Sequence, residues 1–319
     1  TTPNTSSAAS DVYKRQRIHI TGNDPTLDRV IRREIPTTEG ALYARSDLTA
    51  ARLRLNRLGA FESVAITTPR VGTGLLDMNV AVVEQPTGEF NVGGGYSSAG
   101  ITGTLSAQKQ NIFGTGVQLA ASVNASPTLL SSSAMIMEPY LLDTRFTLGF
   151  QGYYNRLSFF EREQQGGGTL TLGRYLNRTD TLRGELRYSF DQRGLTDIDP
   201  YRLAVLGGQL YRSGQASSAG LGMVLDLRND RLHPTRGLYL STQGTLTGGF
   251  RAQSGDVVSL LGGDFNFAEA KLNVRGYRPL GSEKLVLRLN STAGLLHSTD
   301  GTVIPYIHRY RAGGITVSY

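Results

Sequence analysis

The spacing of hydrophobic residues changes once along the chain, at Thr87. Before that point, two segments repeat apolar residues at helical spacing, and three short runs alternate as strands do. The strand-like runs are 17–21, 63–68 and 76–83. The helical faces consist of Leu27, Val30 and Ile31 in the first segment and of Leu48, Ala51, Leu55 and Leu58 in the second. The order β-α-α-β-β predicts one small domain over residues 17–86.

The second predicted helix also carries end signals. Ser46 or Asp47 is its predicted N-cap, because a side-chain oxygen there accepts a hydrogen bond from a free N–H of the first turn. Gly59 is its predicted C-terminal stop, since glycine adopts the left-handed backbone that ends many helices.

After Thr87 the helical spacing disappears, and short alternating segments recur between clusters of Gly, Asn, Asp and Pro. Their lengths are near the ~9–11 residues with which a tilted strand crosses a bilayer. Polar residues occupy one side of each segment, which disfavours a soluble β-sandwich. Short turns are predicted to alternate with longer loops along the chain, as in outer-membrane barrels. The sequence therefore predicts an incomplete antiparallel transmembrane β-barrel over residues 87–316. The eleven predicted strands are 88–97, 101–111, 116–126, 131–141, 145–157, 164–177, 181–193, 214–228, 236–250, 260–278 and 283–297.

The amino-acid composition agrees with a barrel and excludes or disfavours several other kinds of structure and site. The chain of 319 residues has 39% hydrophobic residues, 39 glycines, 15 tyrosines and no tryptophan. No stretch approaches the ~20 consecutive apolar residues of a transmembrane helix, whereas barrel strands alternate and keep average hydropathy near neutral. The absence of cysteine excludes disulfides and thiol nucleophiles. The net charge of +7 comes from scattered basic residues, which favour a solvated surface over a nucleic-acid site.

Candidate chemistry is sparse. The four histidines, His19, His233, His297 and His308, have no metal-ligand spacing. No Ser/His/Asp arrangement is indicated, so the protein is not expected to be an enzyme or to need a cofactor or metal. The run Gly93–Gly95 is not followed by the Lys-Ser/Thr or the helix of a phosphate-binding loop, and a glycine run within a strand is the better interpretation.

Both ends of the chain have unusual composition. Residues 1–16 are rich in Ser and Thr, and Asp11–Gln16 looks like translated adapter sequence. Val317–Tyr319 has a similar character. Both stretches are expected to be non-native or disordered, and the chain is expected to be part of a longer reading frame.

Several short motifs occur in an order that resembles the BamA family of outer-membrane assembly factors. The resemblance covers nearly all of residues 17–316, and its most specific part is the junction between the two predicted regions. It identifies 17–86 as a polypeptide-transport-associated (POTRA) domain and 87–316 as about eleven of the sixteen strands of the family barrel. The matching segments are Thr21–Glu34, Arg54–Val64, Glu84–Gly88, Phe90–Ser98, Gln110–Gly116, Glu138–Tyr140 and Asp226–Gly237.

One family motif has no true counterpart. Val274–Tyr277 reads like the conserved Arg-Gly loop motif, but it lies inside the tenth predicted strand and is interpreted as a coincidental match. Tyr310–Thr316 is the segment that normally leads into that motif. The motif and the last five strands are therefore expected to be missing from this chain.

The resemblance implies a function and a site. The family inserts and folds β-barrel proteins at the seam between the first and last strands, where the first strand pairs with a client strand. Expected partners are unfolded outer-membrane proteins, accessory lipoproteins and outer-membrane lipid including lipopolysaccharide, with the POTRA domain in the periplasm and no nucleic acid. The candidate pairing residues are Gly88, Phe90, Asn91, Val92, Gly93, Gly94, Gly95 and Tyr96.

Other functions of this architecture remain open. An autotransporter assembly factor of the TamA type and a two-partner secretion pore would share the POTRA-plus-barrel plan. A porin-like passive channel would use a similar barrel, but it needs no periplasmic receptor domain.

Overall fold

The computed structural model describes residues 14–97, 100–158, 162–177, 179–230, 234–252 and 255–310. The chain divides into two compact units. The first comprises Thr1–Glu89 together with Ala107–Leu119, and the second comprises Phe90–Ser106 together with Ala120–Tyr319. The fold is mainly β, with a small N-terminal α/β module followed by a large antiparallel sheet, as predicted.

The N-terminal module has the predicted β-α-α-β-β order with one short strand added. Its elements are β1 (Lys14–Thr21), α1 (Asp28–Arg32), α2 (Arg45–Arg57), β2 (Phe61–Thr67), β3 (Arg70–Gly72) and β4 (Leu75–Glu84). Strand β4 is central, parallel to β1 and antiparallel to β2 and β3. Because β1 begins at Lys14, the last three residues of the stretch 1–16, expected to be non-native or disordered, belong to a strand.

The module's core follows from the two spacings seen in the sequence. Alternate residues of β4, Met78 and Val80, are fully buried, and so are Ile31 of α1 and Leu55 of α2. Burying each such side chain stabilises the fold by ~1.5–3 kcal/mol. The helical and strand periodicities therefore converge on one hydrophobic core.

The ends of α2 agree only in part with the prediction. The helix begins at Arg45 after Ala44, which makes no side-chain cap, so the predicted N-cap at Ser46 or Asp47 is wrong. Asp47 instead lies in the first turn, where a carboxylate interacts favourably with the positive end of the helix dipole. Gly59 follows the helix with a φ of +64°, as predicted.

Among the described residues, thirteen strands follow the module. They are β5 (Gly88–Ser97), β6 (Gly100–Ile112), β7 (Val117–Ala125), β8 (Leu129–Glu138), β9 (Phe146–Ser158), β10 (Arg162–Tyr175), β11 (Leu182–Thr196), β12 (Gly214–Asp226), β13 (Gly237–Thr247), β14 (Gly249–Arg251), β15 (Val257–Ser259), β16 (Phe267–Leu280) and β17 (Ser282–Ser298). Eleven of the thirteen form one antiparallel sheet with the order β17-β16-β13-β12-β11-β10-β9-β8-β7-β6-β5, which confirms the predicted number of barrel strands, and β14 pairs with β15.

The connections differ from the predicted alternation of short turns and long loops. Residues 126–128 alone join β7 to β8, where the alternation predicts a longer loop, so the prediction is wrong for this connection. The β9–β10 loop is shorter than predicted, because these two strands remain paired as far as Ser158 and Arg162, beyond their predicted ends. The long connection after β11 contains α3 (Pro200–Leu206), whose N-cap Asp199 accepts a hydrogen bond from the Tyr201 N–H.

One further difference concerns the start of β16. The strand begins at Phe267 rather than at residue 260, because 257–259 pair with 249–251 in a separate hairpin. Val274–Tyr277 lies inside β16, which confirms that it is a strand segment. The predicted lead-in Tyr310–Thr316 and the terminal Val317–Tyr319 lie, apart from Tyr310, outside the described residues.

The sheet has two chemically different faces. In β11, Leu186, Tyr188 and Phe190 are 53%, 46% and 42% exposed on what we term the apolar face. Glu185 and Arg187 alternate with them on the polar face, where Arg187 contacts both Glu185 and Gln243. Exposed apolar side chains along one face are the pattern of strands that meet lipid.

The helices are short. None of those in the described ranges has the length and apolar character needed to cross a membrane.

Candidate functional site: an exposed strand edge

All eight candidate pairing residues lie in β5, the strand at one end of the sheet. The neighbour of β5 is β6, and no other described strand pairs with it. One edge of β5 therefore presents main-chain N–H and C=O groups that have no strand partner in the part of the chain that is described. An unpaired edge of this kind is a template for another strand.

The side chains of β5 alternate as a lipid-exposed strand requires. Phe90, Val92 and Tyr96 share the apolar side and are 68%, 73% and 86% exposed. Asn91, Gly93 and Gly95 occupy the other side. On that side, the Thr102 hydroxyl of β6 donates a hydrogen bond to the Gly95 carbonyl over 3.3 Å. The edge is thus apolar on one face and small or polar on the other.

The three glycines of β5 are not required by space or by backbone geometry. A Cβ added at Gly93, Gly94 or Gly95 would lie 3.9, 3.8 or 3.4 Å from its nearest neighbour, which is ordinary van der Waals contact. None of the three has a positive φ. Three glycines give a strand little side-chain packing and high conformational entropy in the unpaired state, so we expect the pairing of β5 to be weak.

A second glycine run, which the sequence interpretation overlooked, provides a contrast. Gly166, Gly167 and Gly168 lie in β10, an inner strand paired on both sides. A Cβ at Gly167 would overlap the carbonyl oxygen of Phe190 in β11. Gly167 therefore has a steric reason to be glycine, whereas none of the three glycines of β5 has one.

The segment after β17 forms a second structured feature, and its anchors lie too far away in sequence to be predicted. Asp300 is 5% exposed and accepts hydrogen bonds from Asn266 Nδ2, Ser298 Oγ and both the N–H and hydroxyl of Thr302. Burial alone raises the pKa of a carboxyl, but these hydrogen bonds, led by those of Thr302, outweigh it and lower the pKa of Asp300 to about 2. Asp300 is thus a charged anchor of this segment.

Two further contacts fix the segment to the sheet. Ile307 is 4% exposed beside Leu195, and its carbonyl accepts a hydrogen bond from Arg193 Nη1 over 2.8 Å. The His308 ring lies 4.7 Å from the ring of Phe265 and 5.0 Å from that of Phe267. Burial, with a smaller contribution from the Arg193 charge, lowers the pKa of His308 to about 3. His308 is therefore neutral at pH 7.

We expect acid to loosen the segment 300–308. Between pH 6.5 and 3 the unfolded segment binds a proton at His308 that the folded segment does not, so its stability falls as pH falls. The loss reaches ~2 kcal/mol at pH 5, because each pH unit between the two pKa values contributes ~1.4 kcal/mol. Asp300 acts in the same direction, but only below its ordinary pKa of 3.8.

Hydrogen exchange of amides 300–308, measured from pH 7 to pH 4.5 and corrected for intrinsic rates, tests this expectation. His308→Phe is the matched variant, because phenylalanine retains a ring against Phe265 and Phe267 without a titrating group. Its exchange should be independent of pH over this range. An equal acid response in His308→Phe would contradict the assignment.

The polar face of the sheet also carries a cavity of about 390 Å³, away from β5. Gly220 and Gly222 line it together with Arg187 and Lys271. Both cations already have carboxylate partners, since Arg187 lies 3.5 Å from Glu185 and Lys271 lies 2.9 Å from Glu269. No group of three or more potential metal-binding side chains occurs among the described residues. Paired charges around open space are typical of a hydrated lining.

Comparison with known proteins relates the two parts of the chain to two families. The model of the Omp85 superfamily domain matches residues 111–317, and the POTRA model, described as a surface antigen variable number repeat, matches residues 13–85. The outer membrane protein assembly factor BamA of Neorickettsia risticii (strain Illinois) is 27% identical over 306 residues, covering 93% of this chain and 39% of that protein. BamA of Neisseria meningitidis serogroup B is 34% identical over 139 residues, covering 43% of this chain and 17% of that protein.

Solved structures show the same fold. The crystal structure of BamA from Haemophilus ducreyi lacking POTRA domains 1–3 superimposes with a TM-score of 0.69 at 24% identity, over 95% of this chain and 59% of that one. CdiB from Acinetobacter baumannii gives a TM-score of 0.55 at 16% identity, over 95% of this chain and 56% of that one. The chain thus spans less than two thirds of the length of these relatives. Because the Omp85 model covers well over half of its residues, the chain belongs to the Omp85 superfamily.

Proposed function

We propose that the complete protein inserts and folds β-barrel proteins in the outer membrane, and that β5 is the strand with which client strands pair. The observation that carries the proposal is the glycine run of β5, an end strand of the sheet, where neither space nor backbone geometry requires glycine. Membership of the Omp85 superfamily and the similarity to assembly factors named BamA support it.

The chemistry of the proposal lies in the main chain. A β-strand that enters lipid alone leaves its N–H and C=O groups unpaired, and each such group costs several kcal/mol. Pairing with the edge of β5 satisfies these groups before the client barrel closes. A weakly packed strand suits this role, because it must first give up its own partner in the complete protein and later release the client.

Insertion on this scheme needs no nucleotide, metal or other cofactor. Burial of the client's lipid-facing side chains and completion of its hydrogen-bonded ladder make the process favourable. The protein acts by lowering the barrier, and main-chain groups of β5 do the pairing. No residue is assigned a covalent or acid–base role, so the proposed activity is not enzymatic.

The proposal also assigns partners and location. The clients are unfolded outer-membrane β-barrel proteins, and the accessory partners are lipoproteins of the assembly complex. The barrel lies in the outer membrane in contact with its lipids, including lipopolysaccharide, and the POTRA domain lies in the periplasm. The POTRA match over residues 13–85 and the apolar face of the sheet support this arrangement.

Reconstitution of the complete protein tests the proposed function. An unfolded client barrel is added to vesicles that contain the protein, to empty vesicles and to vesicles that contain a porin, and client folding is followed by its heat-modifiable gel mobility. We expect folding to be at least about tenfold faster with the protein, corresponding to a barrier lowered by ~1.4 kcal/mol or more.

Other results would point to the alternative functions. Ion conductance without faster client folding would support a passive channel. Export of a soluble partner polypeptide without barrel insertion would support a secretion pore. Either outcome would contradict the proposal.

A further inference from the structure

The turn between β6 and β7 belongs to the same compact unit as the N-terminal module. Its Gly114 carbonyl accepts a hydrogen bond from the Leu27 N–H over 3.0 Å, at the start of α1. Its Asn111 Nδ2 donates to the Thr26 hydroxyl over 2.7 Å. The turn Asn111–Gly116, noted in the sequence only as a family-like motif, is therefore bonded to the N-terminal module through both main chain and side chain.

Thr26 is the buried centre of this contact. It is 1% exposed, and its N–H donates to Glu84 Oε1 over 2.8 Å. Its hydroxyl accepts the hydrogen bond from Asn111. A polar group buried to this degree is costly without a partner, so the position of Asn111 strongly affects the energy of the contact.

The backbone of the turn is shaped for close approach. Gly114 has a φ of +70°, and a Cβ there would overlap the Pro25 carbonyl oxygen. Gly116 has a φ of +86°, and a Cβ there would overlap Arg33 Nη2, which donates to the Thr115 carbonyl over 3.2 Å. Gly114 is thus required by left-handed geometry and by the Pro25 backbone, whereas Gly116 is required by left-handed geometry, since the Arg33 side chain can move.

The same unit also holds the beginning of β5. Gln85 donates from its N–H to the Ala60 carbonyl over 3.0 Å and from Nε2 to the Gly59 carbonyl over 3.1 Å. On the other side of this short linker, the Gln110 N–H donates to the Thr87 carbonyl over 3.1 Å. Gln110 directly precedes the anchored turn. The Gly88 end of β5 is therefore tied on both sides, whereas its glycine run has few side-chain contacts.

We propose that the Asn111–Gly116 turn is an anchor through which the N-terminal module fixes the Gly88 end of β5, so that the strand separates from its partners starting at the Tyr96 end. This inference rests on the proposed function and assigns a hinge to its pairing strand. Thr26, Asn111 and Gly114 are positioning residues, because they act through β6 and the linker rather than by touching a client. If the Gly88 end of β5 is fixed, the strand keeps its register while its Tyr96 end pairs with a new strand.

Hydrogen exchange along β5 in the complete, membrane-reconstituted protein provides the test without any client. We expect amides 89–91 to exchange more slowly than amides 94–96. Gly114→Ala should accelerate exchange at 89–91 about tenfold, as expected when a buried, hydrogen-bonded contact is lost. The matched control is Gly281→Ala in the β16–β17 turn, where φ is +77° but a Cβ would meet nothing within 4 Å. It should leave exchange in β5 unchanged.

A milder variant keeps the test decisive if Gly114→Ala fails to fold. Thr26→Val keeps the side-chain volume and the bond from the residue's own N–H to Glu84, but it removes the acceptor for Asn111. We expect a smaller acceleration at 89–91 and normal heat-modifiable mobility. Both variants should slow client assembly several-fold, because a mobile Gly88 end no longer holds the edge of β5 in register.

The outcomes separate the anchor from the proposed function. Unchanged exchange at 89–91 in both variants would overturn the anchor. Faster exchange with normal client assembly would overturn its role in pairing while leaving the proposed function in place. If the unmodified protein assembles no clients, the proposed function fails, and the exchange data alone then decide whether the turn anchors β5.

Discussion

A disulfide that joins β5 to the last strand of the complete protein should abolish client assembly while leaving the protein folded. The proposed mechanism requires the edge of β5 to separate from its barrel partner and accept a client strand. A covalent bond across that edge does not open thermally, so client folding should return to the rate in empty vesicles. The change is Asn91→Cys together with a cysteine at the facing position of the last strand.

Asn91 suits the lock because of its place in β5. It lies on the side of the strand opposite Phe90 and Val92, so the disulfide does not disturb the lipid-facing side chains. This chain contributes no native cysteine that could compete for the bond. Facing residues of antiparallel strands have Cα atoms ~4.5–5.5 Å apart, which is within the range that disulfides accept.

The control places the same crosslink within the sheet. Thr169 of β10 and Ser189 of β11 are directly paired, and neither strand lies at an end of the sheet. A disulfide between cysteines at these positions should leave client assembly unchanged, and reduction of the β5 lock should restore it. Normal assembly by the oxidised β5 lock would show that β5 is not the pairing edge.

The strands were predictable because their pattern is local. In β11 the alternation of Leu186, Tyr188 and Phe190 with Glu185 and Arg187 is visible in the sequence, and the sheet places these residues on opposite faces. Lipid on one face and water on the other impose this period on every strand, independently of its neighbours. The helical faces of the N-terminal module were predictable for the same reason.

Features that depend on distant partners were not predictable. The hydrogen bond between Asn266 and Asp300 and the tilted ring contact between His308 and Phe265 join residues far apart in the chain, and no spacing rule connects them. The start of β16 was misplaced because residues 257–259 pair with 249–251 in a separate hairpin. In each case the sequence supplies suitable residue types, but the fold selects which of them meet.

The candidate site was predictable only in part. The sequence showed the glycine run of β5, but it did not show whether glycine was needed there. The structure separates Gly94, where a Cβ would fit, from Gly167, where it would overlap the Phe190 carbonyl. The same residue type therefore has a steric role in an inner strand and a role in weakening the pairing of the end strand.

Strengthening β5 should slow client assembly without harming the fold. Gly94→Val restores the apolar alternation of Phe90, Val92 and Tyr96 and adds a β-branched residue where space is available. Replacing a strand glycine stabilises pairing by ~0.5–1 kcal/mol, and the full range of strand propensities is ~1 kcal/mol. The triple variant Gly93→Thr, Gly94→Val and Gly95→Thr should thus stabilise β5 by ~1.5–3 kcal/mol, which lowers the open population by about 10- to 150-fold.

The measurements are the rate of client folding and the exchange of amides 92–96, with Gly244→Val as the matched control. Gly244 lies in the inner strand β13 and shares the apolar face with Leu246, two residues further along. A Cβ added at Gly244 would meet nothing within 4 Å. The control should stabilise the barrel by a similar amount and leave client folding unchanged. If Gly94→Val and Gly244→Val affect client folding equally, weak pairing in β5 is not what makes it the entry strand. If only the β5 variants slow client folding, then the free energy that separates β5 from its partner sets the rate at which clients are accepted.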